Sequence, residues 1–199
     1  MKILAFSDTH LNKKAISNLI ENSKKVDIMI CAGDISWFGV GLEKLLQMLD
    51  SKIKKPLFII HGNHEDEKSI KEICKNLKNI HFTHKQSIKI DNYHFFFYGG
   101  GGFAQKNPNF EIAANKFKEN IKGNEKIILV THSPPYNTIL DYLEWAGHVG
   151  CKSIKEFLKE TKPALHISGH LHENFNKHEI LFKKTFIINP GPAGTILEI

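Results

Sequence analysis

The chain has 199 residues and a formal net charge of +6, which comes from 27 basic and 21 acidic side chains. This length suits one well-buried domain, so we expect a single domain over residues 1–199. No apolar run approaches the roughly 20 residues that a membrane span needs, and the apolar N-terminal segment is too short for a signal peptide. We therefore expect no membrane partner, and the unpaired cysteines described next favour a cytoplasmic protein.

Cysteine and arginine usage narrows the chemistry further. The three cysteines, Cys31, Cys74 and Cys151, are odd in number and far apart, which argues against a disulfide framework or a zinc ribbon. All 27 basic side chains are lysines. Bidentate phosphate clamps are a speciality of arginine, so charge on a bound phosphoryl group would have to be met by metal ions, histidine, lysine or backbone amides. The lysines are scattered along predicted helices, which favours a solvated basic surface over a nucleic-acid track.

Short apolar runs alternate along the chain with segments at helical spacing, and this alternation predicts an α/β domain. The predicted strands cover residues 3–6, 26–31, 57–60, 80–82, 87–90, 93–98, 127–130, 165–167, 175–182, 185–188 and 195–199. One predicted helix contains an i, i+3, i+4, i+7 stripe formed by Leu42, Leu45, Leu46 and Leu49. The other helices are predicted around residues 16–20, 70–77, 110–121 and 154–158.

The middle of the chain predicts a hairpin. Asp91 and Asn92 form a plausible tight turn between two predicted strands, so the sheet should be mixed and not purely parallel. The very apolar segment Phe95-Phe96-Phe97 predicts a strand buried on both faces. The four glycines at 99–102 lack the Lys-Ser/Thr ending of a phosphate-binding loop, so a simple turn is favoured over a phosphate cradle.

Six short polar motifs occur in a fixed order, and most follow a predicted strand. In chain order they are Asp8-Thr9-His10, Gly33-Asp34, Gly62-Asn63-His64, Thr131-His132, Gly169-His170-Leu171-His172 and Asn189-Pro190-Gly191. Binding sites of α/β sheets lie at the carboxyl ends of the strands, so we expect these side chains to meet at one rim. Each motif alone is weak evidence, because such a pair is more often a surface turn or a core histidine. The ordered set is far harder to explain without a shared site.

Seven of the motif residues carry carboxylate, carboxamide or imidazole ligands. They are Asp8, His10, Asp34, Asn63, His132, His170 and His172. Such a mixed oxygen and nitrogen set suits Mn²⁺, Fe, Co²⁺, Ni²⁺ or Zn²⁺, and the lack of thiolates argues against a purely structural zinc site. The pattern predicts a dinuclear metal centre and hence a phosphoesterase.

The same motifs resemble the signature of the calcineurin-like metallophosphoesterase superfamily, which reads D-x-H, G-D, G-N-H-[DE], a separate His and G-H-x-H. The resemblance covers nearly the whole chain and implies a four-layer α/β/β/α sandwich with two mixed β-sheets. It also implies two divalent metal ions, with Mn²⁺ expected first. One metal ion would be bound by Asp8, His10, Asp34 and His172. The second would be bound by Asp34, Asn63, His132 and His170, so that Asp34 bridges the pair.

The resemblance also implies a mechanism. A hydroxide that bridges the two metals would attack phosphorus in line, while the metals neutralise the phosphate oxygens. His64 matches the family's catalytic histidine, which is not a metal ligand and would donate a proton to the departing oxygen. His64 and the bridging Asp34 would thus be the catalytic residues. The chain departs from many members at Trp37, where they carry an acidic residue; this position is not a ligand in the scheme above.

Several longer segments resemble a narrower branch, the compact single-domain phosphodiesterases. They are residues 131–135, 147–151, 169–173 and 189–192. This likeness implies a small phosphodiester substrate in preference to a monoester, with cyclic nucleotides among the candidates. The oligomeric state is not predicted, and both a monomer and a homodimer are compatible with the sequence. His148 could reach the site from its loop or from a second subunit, and a loop histidine without a catalytic part is an equally good account.

Two other functions are compatible with the same fold. A nuclease on DNA or RNA is mildly favoured by the sequence pI of about 9.1, but the chain leaves no room for the additional DNA-binding domain that family nucleases usually carry. A non-catalytic protein-binding scaffold is the third hypothesis. Scaffolds of this fold typically lose ligands or the catalytic histidine, whereas this chain keeps all eight positions.

The remaining motif residues receive structural explanations. His61 is expected to be a core histidine at a strand end, with a role in orienting a ligand as the alternative. For Asn189-Pro190-Gly191, a tight turn and a backbone approach to the metal rim are equally good accounts. No function is assigned to the histidines outside the motifs, namely His81, His84, His94, His166 and His178.

Overall fold

A computed structural model describes residues 1–123 and 125–199. In chain order the elements are β1 (Lys2–Phe6), α1 (Lys13–Ser23), β2 (Ile28–Cys31), α2 (Leu42–Lys52), β3 (Leu57–Ile59), α3 (Glu67–Cys74), β4 (Ile80–Phe82), β5 (Gln86–Ile90), β6 (Tyr93–Tyr98), α4 (Pro108–Glu119), β7 (Lys126–Thr131), β8 (Tyr142–Leu143), β9 (Gly147–His148), α5 (Lys152–Thr161), β10 (Leu165–Ile167), a 3-10 turn (His172–Asn174), β11 (His178–Leu181), β12 (Thr185–Ile188) and β13 (Thr195–Glu198).

The strands form two large sheets, and both are mixed. The first has the order β13-β1-β2-β3-β4, in which β1 to β4 are parallel and β13 is antiparallel to β1. The second has the order β11-β12-β10-β7-β6-β5, with four parallel central strands and antiparallel strands at both edges. The predicted hairpin at Asp91 and Asn92 is confirmed as the β5–β6 connection. Strands β8 and β9 pair separately.

The two sheets pack face to face and carry helices on their outer surfaces. Alternate residues of β1 divide between two cores, since Ile3 belongs to the cluster between the sheets and Leu4 to the cluster beneath α1, α2 and α3. In the same way, β6 directs Phe95 and Phe97 between the sheets and Phe96 against α4 and α5. The expected four-layer α/β/β/α sandwich and the doubly buried Phe95-Phe96-Phe97 strand are both confirmed.

Local sequence signals explain where the helices begin. The side chains of Asn12, Asp66 and Asn107 cap α1, α3 and α4 by accepting a hydrogen bond from a first-turn backbone N–H. Helix α4 then opens with Pro108, a residue that suits the first helical turn. Within the part of the chain that the structure describes, no helix has the length and apolarity that crossing a membrane requires.

Two predicted strands begin too early: the one predicted over residues 26–31 starts at Ile28 as β2, and the larger error is at β11. The sequence predicts a single strand over residues 175–182, but β11 covers only His178–Leu181. The preceding segment contains the 3-10 turn, and Asn176 adopts a left-handed backbone with φ of +64°. A left-handed residue reverses the chain locally and cannot continue a strand. The three cysteines are free and buried.

Candidate dinuclear metal centre

The structure brings the seven predicted ligands together in two adjoining groups at the carboxyl ends of the parallel strands. Asp8 and His10 follow β1, Asp34 follows β2, and Asn63 follows β3 of the first sheet. The loops after β7 and β10 of the second sheet carry the remaining three, His132, His170 and His172. The groups meet because the backbone N–H of His10 donates to the carbonyl of Asp34, at 3.2 Å.

The first group consists of Asp8, His10 and His172, whose potential ligand atoms lie within 4.8 Å of one another. Nδ1 of His10 lies 3.1 Å from the carbonyl oxygen of Ser36, so it carries the proton and donates to that oxygen. Nε2 of His10 therefore presents its lone pair, and it faces Nε2 of His172 at 3.2 Å. Oδ1 of Asp8 lies 3.7 Å from the same atom of His172. Two imidazole nitrogens and a carboxylate oxygen thus converge on one point.

The second group consists of Asp34, His132 and His170, again with ligand atoms within 4.8 Å of one another, and Asn63 lies beside them. Within this group, His132 gives the clearest evidence for a bound cation. Its Nδ1 donates to the carbonyl of Ala32 at 2.8 Å. Its Nε2 faces two oxygen acceptors, Oδ1 of Asn63 at 2.9 Å and Oδ2 of Asp34 at 3.2 Å. A nitrogen between two oxygens needs a cation there, either a proton on the ring or a metal ion.

Electrostatics at this point favour a positive charge. Burial alone would lower the pKa of His132, but the hydrogen bond and the charge of Asp34 raise it to about 9. Burial would raise the pKa of Asp34, but His132 lowers it to about 2. Without a metal ion, the imidazole of His132 is protonated. This proton occupies the position at which the family resemblance places the second metal ion. The donor set therefore fits a divalent cation in this group.

His170 supplies a second sign of a missing cation. Its Nε2 is buried and has no hydrogen-bond partner among the described residues. Burial lowers the pKa of His170 to about 4, so the ring stays neutral and keeps a lone pair to offer. Its backbone N–H donates to both carboxylate oxygens of Asp8 at 3.1 Å, which joins the two groups again. Buried polar atoms are rarely left unpaired, so this nitrogen points to an absent partner.

The ligands occupy strained backbone positions. Four of the seven adopt a left-handed conformation, with φ of +53° at Asp8, +43° at His10, +52° at Asp34 and +74° at His170. Such conformations cost on the order of 1–3 kcal/mol each and cluster at functional sites. Glycines allow the loops to approach closely, because a Cβ on Gly62 would overlap the Asp34 carboxylate.

Glu65 is the important residue that sequence analysis missed. Its buried carboxylate accepts hydrogen bonds from the backbone N–H groups of Asp34 (3.0 Å), Ser36 (2.9 Å) and Gly62 (3.0 Å). It also accepts from the Ser36 hydroxyl at 3.1 Å. Burial raises the pKa of Glu65, and these donors partly offset that effect. Glu65 thereby fixes the Asp34 loop against the Asn63 loop, and the only signal for it was the last position of G-N-H-[DE].

His64 lies beside the two groups and belongs to neither. Its backbone N–H donates to Oδ1 of Asp34 at 2.9 Å, while its side-chain Nε2 lies 3.8 Å from Oδ2 of the same residue. The imidazole is edge-on to Trp37 and Phe38, with ring centroids 4.8 and 4.5 Å apart. Trp37 itself stacks on His10 at 3.7 Å. The position where many family members carry an acid is therefore filled by a ring that covers a predicted ligand.

His148 lies in neither group. Its Nδ1 contacts Oδ1 of Asp141 at 2.8 Å, and this buried carboxylate also accepts from the backbone N–H groups of Thr138 and Gly150. Asn189 is a structural residue, because its amide donates to the carbonyl of Leu171, between two predicted ligands. The segment Asn189-Pro190-Gly191 also approaches the metal centre through its backbone, because the N–H of Ser7, which precedes Asp8, donates to the carbonyl of Gly191 at 3.1 Å.

A third histidine cluster is explained by hydrogen bonds within the protein. His61, Glu67 and His84 have side-chain ligand atoms within 4.8 Å of one another. However, Nδ1 of His84 accepts the backbone N–H of Gly99 at 2.8 Å, so Nε2 carries the proton and faces Glu67 at 3.5 Å. A protonated ring nitrogen cannot bind a metal. His61 is a core histidine beneath Gly99 and Gly100, as expected.

Comparisons with known proteins agree with this geometry. Residues 1–174 match the family profile described as calcineurin-like phosphoesterase. The uncharacterized protein MJ1162 of Methanocaldococcus jannaschii is 30% identical over 202 residues, which cover 98% of this chain and 89% of that protein. The chain therefore belongs to the calcineurin-like phosphoesterase family. The family implies a dinuclear divalent metal site, for which the two groups are the candidate ligands.

Solved structures share the fold at low sequence identity. The protein TT1561 of Thermus thermophilus superposes with a TM-score of 0.76 at 15% identity, covering 98% of this chain and 93% of that one. A protein described as a novel archaeal phosphodiesterase gives a TM-score of 0.53 at 22% identity, over 96% of this chain and 84% of that one. Both are compact proteins of similar length, so the likeness extends across nearly the whole fold.

Proposed function

We propose that this protein is a dinuclear metal-dependent phosphodiesterase whose substrate is a small phosphodiester. The observation that carries the proposal is the arrangement at Nε2 of His132, which faces oxygens of Asn63 and Asp34 and therefore requires a cation. The unpaired Nε2 of His170 and the facing nitrogens of His10 and His172 support it. When bound, two divalent cations supply Lewis acidity and an activated water for in-line attack at phosphorus.

The ligand roles follow the two groups. Asp8, His10 and His172 would hold one cation, and Asn63, His132 and His170 the other. Asp34 would serve both, since its backbone carbonyl accepts from His10 of the first group and a carboxylate has two oxygens. The backbone N–H of His64 already holds one of those oxygens at 2.9 Å, which fixes the rotation of the carboxylate. Mn²⁺ is the cation we would test first.

His64 would act as the general acid. Its imidazole stands next to the Asp34 carboxylate, its side chain is 17% exposed, and it lies outside both ligand groups. A substrate held at the centre could therefore meet it without displacing a ligand. The role requires His64 to give a proton to the departing oxygen. This contribution should be largest for a poor leaving group, because a stable anion leaves without a proton.

The preference for diesters rests on charge. A monoester dianion carries more charge than a diester monoanion, and arginine forks commonly balance the extra charge. This chain contains no arginine, so it has no such fork to offer. The archaeal protein with the same fold is described as a phosphodiesterase, which agrees with this preference.

Two substitutions test the assignment. Asp34→Asn should lose bound metal and activity together. His64→Ala should retain the metal and lose about 100-fold or more in kcat on a diester with an alkoxide leaving group, but less on bis-p-nitrophenyl phosphate. His178→Ala, at an exposed position of β11, is the control and should change neither.

Metal content by elemental analysis and steady-state rates with Mn²⁺ provide the readouts. If the wild-type protein cleaves neither bis-p-nitrophenyl phosphate nor p-nitrophenyl phosphate with any divalent metal, the proposed activity is wrong. If His64→Ala keeps its rate on both diesters, His64 is not the acid. Faster cleavage of the monoester than of the diester would overturn the substrate preference.

A further inference from the structure

Three large aromatic rings beside the metal centre are exposed to solvent. Trp37 is 44% exposed, Phe38 76% and Phe103 59%, although most phenylalanines of this chain are buried. Single exposed apolar residues need no explanation, but several grouped at a polar site suggest a binding surface. We name these three residues the aromatic rim.

The rim borders both ligand groups. Trp37 stacks on His10 of the first group, with centroids 3.7 Å apart and planes inclined by 18°. On the other side, Phe103 lies edge-on to His170 of the second group at 4.7 Å. Phe38 contacts His64 at 4.5 Å. The predicted general acid and the two ligand groups therefore share an aromatic border.

The backbone holds these rings outward at an energetic cost. Phe38 has a φ of +50°, a left-handed conformation that is unusual for a bulky residue. The turn is closed by a hydrogen bond of 2.9 Å from the N–H of Val40 to the carbonyl of Trp37. On the opposite side, the loop before Phe103 is anchored where Ser133 donates to the carbonyl of Gly102 at 3.0 Å. A turn that accepts strain to expose a ring is better explained by binding than by packing.

Planar rings beside a phosphate site match the chemistry of a nucleotide. A phosphodiester bound at the centre directs its substituents away from phosphorus toward the border, where a flat substituent can stack on an aromatic side chain. Base stacking tolerates all bases, because every base has an aromatic face. A short aliphatic substituent has no flat face to stack on these rings.

We propose that the aromatic rim stacks on the nucleobase of the substrate, so that the substrate class is nucleoside phosphodiesters. This inference rests on the proposed function, since it places the scissile phosphate at the metal centre. It assigns specificity to Trp37, Phe38 and Phe103, with no direct part in bond cleavage.

A matched pair of substrates tests the rim. Thymidine 5′-(p-nitrophenyl phosphate) and ethyl p-nitrophenyl phosphate share a leaving group and differ in the nucleoside. With Mn²⁺, the wild-type protein should prefer the thymidine ester by about tenfold in kcat/KM, within the range of stacking on one side chain. Trp37→Leu and Phe103→Leu should each bring this ratio toward one, whereas Trp37→Phe, which keeps a ring, should retain most of it.

Two controls separate stacking from damage to the centre. Metal content is measured for every variant, because Trp37 contacts His10. Phe182→Leu should leave the ratio unchanged, because Phe182 follows β11 and precedes β12, at the end of β12 opposite to the metal rim. A wild-type ratio near one, or a ratio that Trp37→Leu and Phe103→Leu both preserve, would overturn the rim proposal while leaving the phosphodiesterase proposal intact.

A binding measurement keeps the two proposals distinguishable when neither ester is cleaved. The methyl ester of thymidine 5′-monophosphate is compared with dimethyl phosphate by calorimetry on the Mn²⁺-loaded protein. An advantage of about tenfold for the nucleoside ester, lost in Phe103→Leu, would support the rim even though the proposed activity had failed. Equal affinity for the two compounds would refute the rim.

Discussion

Two buried histidines on neighbouring strands differ in nearly every electrostatic respect. His132, directly after β7, and His166, within β10, are both 0% exposed. The charge of Asp34 raises the pKa of His132 to about 9 against the effect of burial, whereas burial alone lowers the pKa of His166 to about 3. Nε2 of His166 meets only the hydroxyl of Thr131, at 2.8 Å. The partner at Nε2 therefore distinguishes a cation site from an ordinary core position.

The largest effect should come from removing each ring in turn. His132→Ala leaves the buried Asp34 carboxylate without its partner, while His166→Ala leaves only a cavity and a hydroxyl. In metal-free protein near pH 6, we expect His132→Ala to lower the free energy of unfolding by about 3 kcal/mol more than His166→Ala. Urea unfolding after chelation measures the difference. Equal losses would show that the Asp34–His132 pair contributes nothing beyond packing.

Glu65 sharpens the comparison, because it is a buried carboxylate with hydrogen-bond donors in place of a cation. In Glu65→Gln, an amide NH₂ would face the N–H groups that now donate to the carboxylate. We expect a loss of about 2–3 kcal/mol in unfolding free energy and weaker metal retention, because charge-assisted hydrogen bonds are lost. Glu173→Gln, at an exposed acid beside His172, should stay within about 0.5 kcal/mol of wild type. Unchanged stability and metal content in Glu65→Gln would contradict its positioning role.

The smallest effect should appear in the pH dependence of stability. An unfolded histidine titrates near pH 6.5, so as pH falls below this value the unfolded chain takes up a proton that folded His166 refuses. The free energy of unfolding therefore decreases as the pH falls, and His166 accounts for about 2 kcal/mol of this decrease between pH 7 and pH 5. His166→Gln keeps a hydrogen-bond donor for Thr131 but has no group that titrates. Its free energy of unfolding should therefore decrease by about 2 kcal/mol less than that of the wild type over the same pH range. Parallel curves of chelated wild type and variant would show that His166 is protonated in the fold.

Sequence analysis predicted the features that depend on local pattern. The alternation of apolar runs identified most of the strands, and Asp91-Asn92 identified the hairpin between β5 and β6. The four-layer arrangement came from the family resemblance. Three short elements were missed: the paired strands β8 and β9, with two residues each, and the 3-10 turn that precedes β11. Each of these elements spans a single repeat, so it contains no recurrence that periodicity could reveal.

The candidate site was predictable in composition and less so in geometry. The ordered motifs named all seven residues that the structure brings together, and their roles as ligands stay predictions. The positioning role of Glu65 could not be predicted, because its hydrogen-bond donors include backbone N–H groups about 30 residues away in sequence, such as that of Asp34. Trp37 was noticed only as a departure from the family pattern, because stacking on His10 is a tertiary contact. Contacts of this kind carry no local signature.

The left-handed backbone at four predicted ligands limits which amino acids these positions can accept. Asp8, His10, Asp34 and His170 must satisfy two separate requirements, a suitable donor atom and a positive φ. Glutamate offers the same carboxylate as aspartate, but aspartate, asparagine and histidine tolerate this conformation far better than most residues. A selection for folded protein from randomised codons at Asp8 and Asp34 should therefore recover asparagine more often than glutamate, even though asparagine at position 34 would abolish metal binding. The geometry of the main chain thus restricts the evolution of the site independently of its chemistry.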